Sequence, residues 1–92
     1  MKFVYKKGFI KQFDLYPAAI QQLIIEADFQ IKSYLEEQIA PYGLRIKKIG
    51  LSTFEARVTD KIRIVWVKKE DAVYFALLGT HDEVRKFIKN LQ

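Results

Sequence analysis

Cysteine is absent from the chain, which excludes disulfides and thiolate metal sites. A single histidine cannot make a metal site unaided, and no carboxylate-rich loop has calcium-binding spacing. No apolar run approaches the ~18–20 residues needed to span a bilayer. The opening stretch MKFVYKKGF puts charge where a secretory signal needs an apolar run. Neither an internal repeat nor a low-complexity stretch interrupts the chain. These absences set the expectation of a cytoplasmic protein with no metal, no cofactor and no membrane partner.

What is present is a globular composition. Half of the 92 residues are apolar and 14% are aromatic, far from the balance of a disordered chain. That length closes one core, so residues 1–92 are expected to form one domain. The net charge of +5 is unevenly placed. Between Pro41 and Glu70 stand eight basic residues and three acidic ones, and the rest of the chain has eight of each. The whole excess therefore lies on one segment, which would attract phosphate backbones or an acidic protein. The competing reading is that lysine-rich strands keep sheet edges soluble.

Periodicity divides the chain into two halves. Lys2 to Lys6 reads as a short strand and Gly8 to Leu15 as a short helix. Pro17 suits the first turn of a longer helix, where its missing N–H costs nothing. Ile20, Ile24, Ala27, Ile31, Tyr34 and Leu35 recur at spacings of three and four, an apolar stripe for packing on a sheet. Pro41 and Gly43 are expected to stop that helix. Strands are expected over Leu44 to Ile49, Thr53 to Val58, Ile62 to Val67 and Ala72 to Leu78. Thr80-His81-Asp82-Glu83 has the form of a capping box and opens a last helix, with Val84, Phe87, Ile88 and Leu91 on its apolar side. The order β-α-α-β-β-β-β-α, with a helical hairpin on a mainly antiparallel sheet, is α+β.

Alternation along strands predicts which side chains meet. Phe54, Ala56, Val58, Ile62, Ile64 and Trp66 form one apolar face if Thr59 to Lys61 is a three-residue loop. Thr53, Glu55, Arg57, Arg63, Val65 and Val67 then share the other face, with Arg57 directly opposite Arg63. Like charges so placed repel, and an anion between them would relieve it. A four-residue turn at Lys68 to Asp71 switches parity. It puts Val73, Phe75 and Leu77 in the core and Tyr74, Ala76 and Leu78 on the arginine face. His81 falls in the first turn of the last helix, beside the arginine face, and imidazole is the side chain suited to acid–base work near neutral pH. The competing readings are a solvated Arg63 bridging Glu55 or Asp60, a tolerated surface His81, and a Tyr74 packed under the last helix.

The segment GLRIKKIGLSTFEARVTDKIRIVWVKKEDAVYFALLGTHDEVRKFIKNL resembles the C-terminal half of RelE/ParE-superfamily toxins of type II toxin–antitoxin pairs. The parts that carry the resemblance are a basic strand, an Arg-Val-turn-Ile-Arg-Ile-Val hairpin and a Gly-Thr-His-Asp-Glu-Val helix start. The first half is similar in layout. The resemblance implies a RelE-like fold, an antitoxin protein covering the active face, and mRNA as substrate, often in the ribosomal A site. It implies cleavage without metal, by attack of the 2′-OH on the adjacent phosphate. Arg57 and Arg63 would hold the scissile phosphate, with His81 contacting phosphate or moving a proton. Lys47 and Lys48 would meet RNA, with Arg45, Arg85 and Tyr74 as further RNA-binding residues. Two departures stand out. Arg85 follows Val84 where a tyrosine is common, and no glutamate base is evident unless Glu55 serves. The ParE branch, which inhibits gyrase without cleaving RNA, and a non-toxic basic binding domain remain as alternatives.

Overall fold

A computed structural model of the chain describes residues 1–39, 41 and 43–90. Its elements run β1 (Lys2–Tyr5), α1 (Lys7–Leu15), α2 (Ala18–Glu37), β2 (Lys47–Lys48), β3 (Thr53–Arg57), β4 (Ile62–Lys69), β5 (Ala72–Thr80) and α3 (His81–Asn90). The five strands form one sheet in the order β1-β5-β4-β3-β2. β1 runs parallel to β5, and the other pairs are antiparallel. The fold is α+β, with the element order expected from periodicity.

The main core lies between the helical hairpin and one sheet face. Phe9 of α1 and Ile24, Ala27 and Ile31 of α2 meet Ala56, Ile64, Trp66, Val73, Phe75 and Leu78 of the strands. Tyr34 leaves the predicted stripe and is exposed, between core residue Ile31 and Leu35, which packs against the core. α2 also ends earlier than Pro41. Gln38 turns left-handed at φ 56°, and its N–H donates to the Tyr34 carbonyl at 3.0 Å. Leu91 lies outside the described residues.

The 53–67 hairpin has the anticipated register, with Thr53 opposite Val67 and Arg57 opposite Arg63. Thr59 builds its loop: its Oγ1 accepts the N–H groups of Lys61 and Ile62, each at 3.1 Å. The next hairpin departs from expectation. Lys69 pairs with Ala72 across a turn at Glu70 and Asp71, and Trp66 pairs with Phe75, as parity required. Between Trp66 and Val65 the register then slips by one, leaving Ala76 without a partner. This bulge reverses the alternation beyond it. Leu78 enters the core opposite Ile64, and Leu77 takes the other face opposite Val65, the reverse of the expected pair. The basic strand over Leu44 to Ile49 shrinks to Lys47–Lys48, since Arg45 is left-handed at φ 49° and strand geometry cannot pass through it.

The other sheet face is only partly covered. α3 packs there against β4 and β5, where Val84 and Val65 are buried apart from the main cluster. Its start is fixed as anticipated: Glu83 Oε1 accepts the Thr80 N–H at 2.9 Å, and Thr80 Oγ1 accepts the Glu83 N–H at 3.2 Å.

Candidate functional site

Strand register brings three of the singled-out residues to one end of the sheet. Arg57 closes β3 and pairs with Arg63, near the start of β4. Arg63 pairs in turn with Gly79, and Ile62 with Thr80, so His81 follows one residue beyond the last pair. The bulge at Ala76 produces this alignment. Without the extra residue, β5 would meet Arg63 one position earlier, and α3 would start out of step.

The three groups differ in their surroundings. Arg63 is only 7% exposed. Its Nη1 donates to the Thr59 carbonyl at 2.7 Å, and its Nε stands 3.5 Å from Glu55 Oε1. Glu55 is itself buried, and the same oxygen lies 4.0 Å from Lys47 Nζ. Arg57 is half-buried, with Nη1 3.9 Å from the carboxylate of exposed Asp60, a solvated pair that constrains little. His81 is exposed at the head of α3.

The proposed RNA-binding residues sort by parity. Lys47 pairs with Glu55 and so shares the arginine face, whereas Lys48 pairs with Phe54 and takes the opposite one. The strand therefore does not present both lysines together. Arg45 is exposed near Arg57, whose N–H donates to the preceding Leu44 carbonyl at 2.6 Å. Arg85 is exposed on α3, one helical turn beyond His81. Tyr74 stands apart from the cluster. It pairs with Val67, four residues along β4 from Arg63 and thus about 13 Å away along the strand. There it lines a groove of about 550 Å³ with Lys6, Val67, Lys69, Ala76 and Phe87.

The bridge from Arg63 to Glu55, expected in solvent as the competing reading, is present but buried. Glu55 shares a face with Arg63, but alternation alone does not show that the pair is buried. The Thr59 carbonyl is a main-chain group without a sequence signal. The result is a sheet end where Arg57, Arg63 and Lys47 outnumber Glu55 and exposed Asp60, giving a field that attracts anions. Among the described residues, no three His, Cys, Asp or Glu side chains cluster so as to hold a metal ion. No helix there is long and apolar enough to cross a membrane.

No protein-family model matches the chain, and no curated protein matches it. Solved structures do. A copper-bound mutant toxin from Helicobacter pylori is 18% identical, with 91% of this chain and 98% of that one covered at a TM-score of 0.67. A RelB–RelE antitoxin–toxin complex from Methanococcus jannaschii matches at 17% identity, 91% and 96% coverage and a TM-score of 0.65. A YoeB/ParE toxin from Agrobacterium tumefaciens matches at 16% identity, 88% and 99% coverage and a TM-score of 0.65. What the chain shares with these structures is the fold: it has the α+β architecture of RelE/ParE-type toxins along almost its whole length.

Proposed function

We propose that the chain is the toxin of a toxin–antitoxin pair and acts as an endoribonuclease on mRNA. The observation that carries this reading is the directly opposed pair Arg57 and Arg63, at the same sheet end as the head of α3, in a RelE-type fold. In the proposed reaction the RNA 2′-OH gives its proton to solvent water as its oxygen bonds to the adjacent phosphorus, and the bond to the 5′-oxygen breaks as that oxygen takes up a proton. A 2′,3′-cyclic phosphate and a 5′-OH result. Arg57, with Arg63 behind it, would stabilise the charge growing on the phosphoryl oxygens, and His81 would exchange a proton with the leaving oxygen. Lys47, Arg45 and Arg85 would hold flanking phosphates. An antitoxin protein would neutralise the toxin by covering this face, as the complex from Methanococcus jannaschii pairs RelE with RelB. The reaction would take place in the cytoplasm, at or near the ribosome.

The test is controlled expression in bacteria. The reading expects growth arrest and transcripts cut to 5′-OH ends, with both lost in Arg57→Ala and His81→Ala. Co-expression of a short neighbouring reading frame should relieve the arrest. Intact transcripts during arrest would reject the nuclease. One observation favours a second reading, a ParE-like inhibitor of gyrase: Arg63 commits its Nε to Glu55 and its Nη1 to the Thr59 carbonyl. That reading expects DNA-damage signalling with mRNA uncut.

A further inference from the structure

We infer that Glu55 is a positioning residue: a buried carboxylate that fixes the guanidinium of Arg63 for phosphate binding, rather than the base that removes the 2′-OH proton. The inference rests on the ribonuclease reading for its substrate. Glu55 and Arg63 have side chains only 6% and 9% exposed, with Oε1 and Nε 3.5 Å apart. The Thr59 carbonyl takes Nη1 at 2.7 Å. Nη1 is thus hydrogen-bonded to a main-chain oxygen and Nε is ion-paired with a buried carboxylate, which together set the plane of the guanidinium and leave the Nη2 side to present to an anion. Lys47, at 4.0 Å from the same carboxylate oxygen, is the third member of the set. A general base must reach the proton it removes, and a carboxylate this buried, with one oxygen between two cations, is poorly placed to do so. Facing pairs along β2, β3 and β4 build the arrangement: Lys47 with Glu55, and Arg63 two rows further along β4 from Glu55's partner Val65.

The experiment compares Glu55→Gln and Glu55→Ala in single-turnover cleavage of a short RNA, with pH profiles, alongside the ¹H–¹⁵N signal of Arg63 Nε–H. Gln keeps an acceptor oxygen in place but cannot act as a base. A positioning role expects Glu55→Gln to retain most of the rate and a sharp, slowly exchanging Nε–H. Glu55→Ala should then lose about 100-fold in rate with little change in KM, the scale of a misplaced catalytic group, and its Nε–H should broaden. If Glu55→Gln is as slow as Glu55→Ala and the acidic limb of the pH profile disappears, Glu55 is the base and the inference is overturned. An unchanged Nε–H in both variants also overturns it. If Glu55→Ala does not fold, Glu55→Gln alone decides between the two roles. Should the unaltered protein cleave no RNA, the functional reading fails, and the Nε–H comparison still decides whether Glu55 fixes Arg63.

Discussion

At the scale of single residues, the two arginines that look equivalent in the sequence answer different demands. Arg63 is one half of a buried ion pair, so Arg63→Ala strands the Glu55 carboxylate and should cost about 3–5 kcal/mol of stability. Arg57 pairs only with exposed Asp60, and Arg57→Ala should cost less than about 1 kcal/mol. Urea unfolding of the two variants checks the contrast, and equal losses would contradict the buried pair. It also means that lost toxicity in Arg63→Ala alone says little about chemistry. Replacing both partners, as Glu55→Leu with Arg63→Met, should recover most of the stability while leaving the protein inactive. A second prediction concerns Tyr5, whose hydroxyl donates to Asp28 Oδ1 at 2.6 Å while Lys32 Nζ stands 3.1 Å from Oδ2. Burial, then the hydrogen bond to Asp28, raises the Tyr5 phenol above its ordinary 10.0. For Lys32 burial is the largest influence and lowers the value, but hydrogen bonds to Tyr5 and Asp28 outweigh it and raise the ammonium above 10.5. Both groups keep their protons longer in the folded state. Their contribution is therefore complete below pH 10 and is lost as pH rises through the folded values. Thermal melts should show stability falling above pH 10, with a shallower fall in Tyr5→Phe; identical slopes would reject the assignment.

At the scale of elements, the most consequential feature is where β5 ends and α3 begins. Gly79 faces Arg63, and a Cβ there would lie 2.9 Å from Glu83 Oε1 and 3.2 Å from Glu83 Cβ. The carboxylate that closes the capping box would have to move. Gly79→Ala and Thr80→Ala should each lose about 1 kcal/mol from the cap, seen as a lower melting temperature and faster amide exchange in the first turn of α3. If His81 is positioned by that turn, cleavage should fall in the same two variants. A normal melting temperature in both would show that the cap is dispensable. The capping box was legible because it is a local pattern of four residues, and the Arg57–Arg63 pairing because a three-residue loop preserves parity. Alternation puts Leu77 in the core and Leu78 on the arginine face, and the structure reverses them, because the Ala76 bulge leaves no mark in composition. Alanine fits a strand or a bulge equally, and the slip is decided by packing Leu78 under the helices. The basic strand failed for a related reason: Arg45 departs from extended geometry, and nothing in Leu-Arg-Ile signals a left-handed residue. The partition of Lys47 and Lys48 was legible in principle, since neighbours on a strand must face opposite ways.

At the scale of the molecule, that partition turns a diffuse excess of positive charge into a directional one. A net charge of +5 would attract RNA to any side, but register places Lys47 on the arginine face and Lys48 on the face of the main core. Binding to a single strand should follow from contacts on the arginine face alone. Each phosphate neutralised there contributes a slope of about −0.7 in log K against log salt, so contacts from Arg45, Lys47, Arg57 and Arg85 together should give about −3. Lys47→Ala should then bring the slope closer to zero by about 0.7, and Lys48→Ala should leave it unchanged. Fluorescence anisotropy with a short, uncleavable RNA across a salt series measures both. Equal effects of the two substitutions would mean that RNA is held by the net charge and not by a face. The opposed arginines would then have no privileged ligand, and the reading of this sheet end as a phosphate site would lose its basis.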